Sequence, residues 1–426
     1  MSPHDSGSAA AARPATVAAR PYAIAVGIAV LGLYASQALV NDLATSVGLG
    51  AWANLVTMLT LTGYAAGLLL LVPLVDLWPN RRLIMGTLGA QVMSLAVLAA
   101  AREPVVFLAA SFCVGLTSSA IQMLVPVVAS QAPEAERGRV VGDVMSGLML
   151  GVLLSRPAAS LIAGAFGWRS YYAIDAAALA AMSAWLWTHL PERRPLHQSS
   201  YAALLGSLLH LIRDEPVLRR RALYQGLLMV SFNLFWTSVA LKLASAPLRL
   251  GHVGIGLFAL AGAGSTVIAP VAGRLGDRGL DRQATLAFHT IVVLAAGIAL
   301  VGGSNGLSPA ASLTLLVVAA LLLDLGVIGD QAMGRRAVNL LNPQARGRVN
   351  GLFTGLFFVG SAIGALLAGP AWALGHWAGI CIAAAAFALA ANLLHVVHTR
   401  APARPPCTSC TSCQSRTASS AAEPRP

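Results

Sequence analysis

Apolar residues fall in long blocks along this chain, with charges gathered in short clusters between them. Each block is close to the ~20 residues an α-helix needs to cross ~30 Å of hydrocarbon. The pattern predicts twelve helices, at 22–42, 52–75, 83–101, 104–129, 139–164, 170–190, 222–244, 252–273, 284–302, 309–332, 349–371 and 377–398. Lipid offers no partner to an open backbone group, so the blocks must be helical. The implied fold class is an all-α integral membrane protein with twelve transmembrane helices. The longest break, 191–221, separates six helices from six. The expected organisation is a disordered N-terminal tail over 1–21, a six-helix bundle over 22–190 and a linker over 191–221. A second six-helix bundle over 222–398 and a disordered C-terminal tail over 399–426 complete it. Within the linker, residues 201–212 (YAALLGSLLHLI) place apolar side chains at helical spacing beside basic flanks. That pattern suits a short helix lying on the membrane surface, or a plain linker helix.

Composition agrees with the blocks. Hydrophobic residues make up 57% of the chain and charged residues 10%, against about 25% charge in soluble domains. The net charge of +12 does not point to nucleic acid, because the basic residues form loop clusters rather than one basic face. No cleavable signal sequence is evident at the start, so the first apolar block is expected to target and span. Their distribution sets an orientation. With the N-terminus inside, 23 of the 28 Lys and Arg residues fall on the inner side, and Arg102, Arg169, Lys242 and Arg249 on the outer. The excess predicts that both termini are cytoplasmic. Cys113 and Cys381 lie in apolar blocks and are read as packing residues. Cys407, Cys410 and Cys413 form CTSCTSC in a Pro/Ser/Thr/Arg-rich tail with no fourth ligand nearby. A disordered tail is expected there, with no metal.

Two charges stand deep inside the blocks, away from their ends. Asp324 sits in LLLDLGVIGDQ of the tenth helix, and Arg156 in the outer half of the fifth. A charge at mid-membrane costs about 2.5–3.5 kcal/mol on insertion scales and tends to mark an ion or solute path. Asp324 is the candidate for carrying a coupling proton. Arg156 could hold an anionic group of a solute or pair with Asp42 or Asp175; its estimated depth differs from that of Asp324, so the two need not touch. Asp330, nearer the inner surface, is expected to pair with Arg335 or Arg336. Tyr34, Gln37, Gln122, Asn233 and Trp236 are polar or aromatic at middle depth and join Arg156 as candidates for lining a solute cavity. Each could equally be a packing or helix-joining residue.

The two halves repeat. An offset of 209 aligns Arg137, Gly138, Arg139, Val140 and Gly142 with Arg346, Gly347, Arg348, Val349 and Gly351. It also aligns Gly151 with Gly360 and Trp168 with Trp377. A second pair of loops, LVPLVDLWPNRRLIM and VAGRLGDRGLDRQ, follows the second and eighth helices. Two matching bundles suggest a solute path between them, near the midplane.

At these residues the sequence resembles the major facilitator superfamily over roughly 20–400. The family's loop signature is G-x-x-x-D-R-x-G-R-R. Gly273-Arg274-Leu275-Gly276-Asp277-Arg278 matches its first six positions, while the first copy keeps only Asp76, Arg81 and Arg82. The resemblance implies two pseudo-symmetric six-helix bundles and a cytoplasmic gate. In that gate Asp76 would face Arg346 and Arg348, and Asp277, next to Arg278, would face Arg137 and Arg139. The helix-one segment YASQALVND and the helix-five segment GLMLGVLLSRPAAS resemble a bacterial branch of small-molecule exporters. Gly142 and Gly151 fit the antiporter pattern G-x8-G-x3-G-P-x2-G-G, but Ser155 and Arg156 stand where Gly-Pro would fall. The arginine many members carry in helix four is absent, with Gln122 the largest polar residue there.

A proton-coupled transporter of a small organic solute follows, favoured in the export direction by antiport, with uptake by symport open. No cofactor is expected beyond the proton gradient, since no Walker sequence is present. An enzyme is not expected, because neither HExxH nor G-x-S-x-G occurs and the histidines are scattered. A transport-inactive receptor keeping the same fold is the third reading. Expected partners are the solute, protons and membrane lipid, without nucleic acid, and the chain is expected to act as a monomer.

Overall fold

The structure, a computed structural model, describes residues 19–134, 136–192, 200–262, 268–341 and 346–400, without the side chains of Ala51, Ala269 and Arg346. Most of both predicted tails, with the CTSCTSC segment, and linker residues 193–199 lie outside the described residues.

The first half runs α1 (Ala19–Ala38), α2 (Val40–Ser46), α3 (Asn54–Ala66), α4 (Asn80–Ala100), α5 (Pro104–Ser118), α6 (Ala120–Ala129), α7 (Arg137–Phe166) and α8 (Trp168–His189). The linker helix α9 (Tyr201–Asp214) follows. The second half comprises α10 (Pro216–Ala244), α11 (His252–Ala259), α12 (Ile268–Asp277), α13 (Asp281–Gly302), α14 (Pro309–Asn339) and α15 (Arg346–Arg400). Helix α3 continues through π and 3-10 turns to Asp76, so it makes one pass.

Nine stretches among the described residues are long and apolar enough to cross a membrane. Three more passes complete the twelve. Helix α8 has the length, but its Trp, Tyr and Ser content dilutes its hydropathy. Helices α11 and α12 together make the eighth pass. Helix α15 is one helical run that reverses at Gly375 and His376 and serves as passes eleven and twelve. Large apolar side chains such as Val105, Phe166 and Leu374 stand exposed, as expected of a molecule whose surroundings are lipid.

The repeat seen in the sequence is used structurally. Gly151 of α7 packs on the Gly27 carbonyl of α1, and its mate Gly360 of α15 packs on the Gly226 carbonyl of α10; neither site has room for a Cβ. The same close helix crossing therefore organises both bundles. The reversal before Trp168 uses Gly167 at φ 85°, and the matching reversal before Trp377 uses His376 at φ 48°. Glycine takes that left-handed backbone without a Cβ penalty, whereas His376 carries one.

The linker forms a helix as its periodicity suggests, with Ser200 accepting a cap bond from the Ala203 N–H at 3.2 Å. Leu204 and Leu208 are buried. The Tyr201 hydroxyl donates to Leu70 O at 3.0 Å, and Arg348 donates to Ser207 Oγ at 3.4 Å, which ties the linker to both bundles. The seventh pass starts at Pro216, ahead of its apolar block, because Pro216 suits the first helical position and the Arg219–Arg221 turn is helical although polar.

Candidate functional site

A cavity lies between the bundles. Its walls come from α1, α3, α6 and α7 on one side and α10, α11, α14 and α15 on the other. It spans about 950 Å³ of space between the helices, part of it open to solvent.

Arg156 anchors one wall and is 5% exposed. Pro157 follows it and removes a backbone hydrogen bond to the preceding turn. The Arg156 Nε donates to Gln37 Oε1 at 2.7 Å. Gln37 Nε2 in turn donates to Asn233 Oδ1 at 3.0 Å, so this chain of polar groups crosses from one bundle to the other. Aromatic rings surround the guanidinium: Tyr34 at 5.2 Å, Phe232 at 5.5 Å and Trp236 at 4.3 Å to the ring centroids. Such contacts stabilise a desolvated cation by about 2 kcal/mol. The Trp236 Nε1 donates to Asp324 Oδ1 at 2.8 Å. Tryptophan thus touches both buried charges, and Asp324 and Arg156 attract one another across the cavity. The two make no ion pair with each other among the described residues, as their estimated depths allowed, yet they line the same cavity. Nor does Arg156 pair with Asp42 or Asp175. Asp42 lies 3.7 Å from His252, and Asp175 is buried inside the first bundle.

Gln122 lines the same cavity, so Tyr34, Gln122, Arg156 and Asp324 meet there with Phe232. Gln37, Asn233 and Trp236 form the roof behind them. Tyr64, Gln331, Arg335 and Phe358 also line it and were not singled out from the sequence. Asp324, Gln331 and Arg335 are spaced seven and four residues apart, which puts them on one helix face. That spacing was the available signal. Asp330 falls off this face. It is fully buried beside His289, 3.3 Å away, and Arg221, 3.7 Å away, and not beside Arg335 or Arg336.

The two ends of the cavity differ. At the arginine-poor end, Asn54 Nδ2 donates to Ala365 O at 3.0 Å and Leu366 O at 3.2 Å. Ser160 donates to His252 O at 2.7 Å, and the Asp42–His252 pair joins the bundles nearby. At the arginine-rich end the expected gate residues stand apart. Asp76 is exposed and makes no ion pair among the described residues. Arg81 donates to Trp187 O and stacks on the Trp187 ring. Arg82, Arg137 and Arg278 are exposed, and Arg139 pairs locally with Glu136 at 2.9 Å. Asp277 lies 3.4 Å from Arg336 of its own bundle rather than near Arg137 or Arg139. Arg348 reaches Ser207, and the side chain of Arg346 lies outside the described residues. Among the described residues the cross-bundle gate pairs are not formed, and the polar contacts that join helices of the two bundles lie toward the opposite end.

Known proteins match this architecture. The pattern of the Major Facilitator Superfamily matches residues 23–308. "Uncharacterized transporter YgaY" of Escherichia coli O157:H7 is 35% identical over 372 residues, covering 87% of this chain and 92% of that protein. "Chloramphenicol resistance protein" of Streptomyces lividans is 26% identical over 411 residues, covering 90% and 98%. Among solved structures, the POT family transporter PepTSo shares the fold with a TM-score of 0.71 at 15% identity, covering 91% of this chain and 98% of that one. The nucleoside transporter NupG shares it with a TM-score of 0.70 at 13% identity, covering 89% and 99%. On the family match and the relative that spans most of its length, the chain belongs to the major facilitator superfamily and is a transporter of a small solute, not an enzyme.

Proposed function

We propose that this protein exports a small organic solute by alternating access, driven by protons moving in the opposite direction. The carrying observation is a carboxylate and a guanidinium, Asp324 and Arg156, facing one aromatic-lined cavity between the two bundles. Asp324 is the proton carrier in this reading. Protonating it removes the anion that faces Arg156 and weakens its bond from Trp236, so the balance of contacts across the cavity depends on the proton. A ligand shifts an equilibrium between two arrangements only by binding them differently, and Asp324 supplies that difference. Tyr34, Gln122 and Phe232 would contact the solute.

In the same reading the arginine-rich end faces the cytoplasm of a bacterial cell, both termini lie on that side, and the chain works as a monomer. Asp76 and Asp277 would find Arg346, Arg348, Arg137 and Arg139 only when that end closes. Export is favoured by the Streptomyces relative named for chloramphenicol resistance, and chloramphenicol is the first probe solute. Proteoliposomes holding the full chain and an imposed pH gradient test the proposal. Asp324→Asn should insert normally and lose gradient-driven flux by about tenfold or more. Unchanged pH dependence in that variant would remove Asp324 from coupling. Accumulation in the same direction as the proton would replace antiport with symport. Absence of flux for chloramphenicol and a wider panel of organic solutes would favour a transport-inactive receptor.

A further inference from the structure

Helix α14 carries a second carboxylate on another face. Asp330 follows Asp324 by six residues, which turns it about 240° around the helix and away from the cavity. It points into the second bundle, where its side chain and that of His289 on α13 are both 0% exposed. The Asp330 Oδ1 lies 3.3 Å from His289 Nε2 and 3.7 Å from Arg221 Nη1 on α10. These contacts are close enough to attract but not aligned for hydrogen bonds. Among the described residues, neither oxygen of Asp330 and neither ring nitrogen of His289 has a hydrogen-bond partner. A buried polar group without a partner costs about 1–3 kcal/mol, so four such atoms on two neighbouring side chains are an unusual thing to find in a packed bundle.

The surrounding helices add further titratable groups. From α10 come Arg221, which donates to Thr285 Oγ1 at 2.8 Å, and Tyr224, whose ring centroid lies 5.7 Å from that of His289. From α15 comes His395, 5.7 Å from His289 between ring centroids and 3.2 Å from Arg282 O through its Nε2. Next to it, His398 Nδ1 meets the Tyr224 hydroxyl at 2.7 Å. From α12, Arg274 and Asp277 are exposed, and Asp277 faces Arg336 instead. A run of titratable side chains therefore leads from Asp330 through His289, His395 and Tyr224 to His398 and the arginine-rich surface.

We propose that His289 and Asp330 form a proton-binding site inside the second bundle, separate from Asp324. With His289 neutral, Asp330 and Arg221 balance. A proton taken from water onto an imidazole nitrogen sets two cations against one carboxylate, and Asp330 is divided between them. No other bond changes. Imidazole is the side chain suited to this step, since its ordinary ionisation falls between pH 5 and 8. Because Asp330 and Asp324 share α14, the site connects the charge state of the bundle interior with the helix that lines the cavity.

The test is nitrogen-15 NMR of histidine in the purified full chain, in detergent, from pH 5 to 8. His289→Gln identifies the resonance. The expected result is that His289 titrates within that range and that Asp330→Asn moves its midpoint by about one pH unit or more. Should Asp330→Asn fail to accumulate, Arg221→Gln serves instead and should move the midpoint in the opposite sense. A single tautomer of His289 throughout the range would overturn the site. So would titration that ignores both substitutions.

Discussion

The two ends of the molecule are held differently. At the arginine-poor end the bundles meet through Asn54 on backbone carbonyls, Ser160 on the His252 carbonyl, and the Gln37–Asn233 amide pair. At the arginine-rich end, charges outnumber amides, yet the described ion pairs stay within one bundle, as Arg336 does with Asp277 and Asp281. Short polar side chains on carbonyls need close approach and so specify a closed end. Long exposed arginines cost little to leave solvated and tolerate an open one. Abundant charge at one end therefore does not mean that this end is latched.

Three substitutions sharpen that contrast, in falling order of effect. Gly369→Leu drives a side chain into the closed end, since even a Cβ there would lie 3.0 Å from Asn54 Oδ1. It should hold the arginine-poor end open, raising maleimide labelling of Ala53→Cys, a position buried beside Asn54, by about a hundredfold or more, the equivalent of ~3 kcal/mol from overpacking. Labelling at the wild-type rate would show that Asn54 is not a closing contact. Gln37→Ala removes the amide that links Arg156 to Asn233. Loss of a hydrogen bond to a charged group, about 1.5–3 kcal/mol, should lower the thermal midpoint in detergent by a few degrees. It should also weaken solute binding more than Gln122→Ala does. Equal effects from the two would remove Gln37 from the bridge. Asp277→Asn breaks an exposed pair and should change stability by less than about 1 kcal/mol. A large drop in midpoint would mean that the pair is structural.

Much of the fold was legible in the sequence because lipid imposes a simple rule on length and polarity. The offset of 209 located the Gly151 and Gly360 crossings and the paired reversals before Trp168 and Trp377, although at the second reversal the left-handed position falls on His376 rather than on a glycine. The seventh pass was misjudged at its start because Arg219 to Arg221 extend the helix beyond the apolar block. In the site, Asp324 and Arg156 stood out as charges where charge is expensive. Their meeting did not, because depth counted along separate helices ignores which faces converge. Arg335 lies beyond the apolar block that ends at 332, yet the helix continues to Asn339 and the spacing from Asp324 and Gln331 puts it on the cavity face. Asp330 could not be placed from local spacing, because its partners Arg221 and His289 come from α10 and α13.

Alternating access is tested most directly by two spin-label distances measured on the same protein in lipid. One pair, Ser46→Cys and Ala244→Cys, spans the arginine-poor end; the other, Glu134→Cys and Leu340→Cys, spans the arginine-rich end, and all four positions are exposed. Each pair is introduced in a background without the native cysteines, and the distances are read by double electron–electron resonance at acid and alkaline pH. If the bundles rock about the Asp324 cavity, the change of pH widens one distance and shortens the other, and Asp324→Asn abolishes the shift. Distances that stay fixed, or that lengthen together, would contradict a rocking transporter.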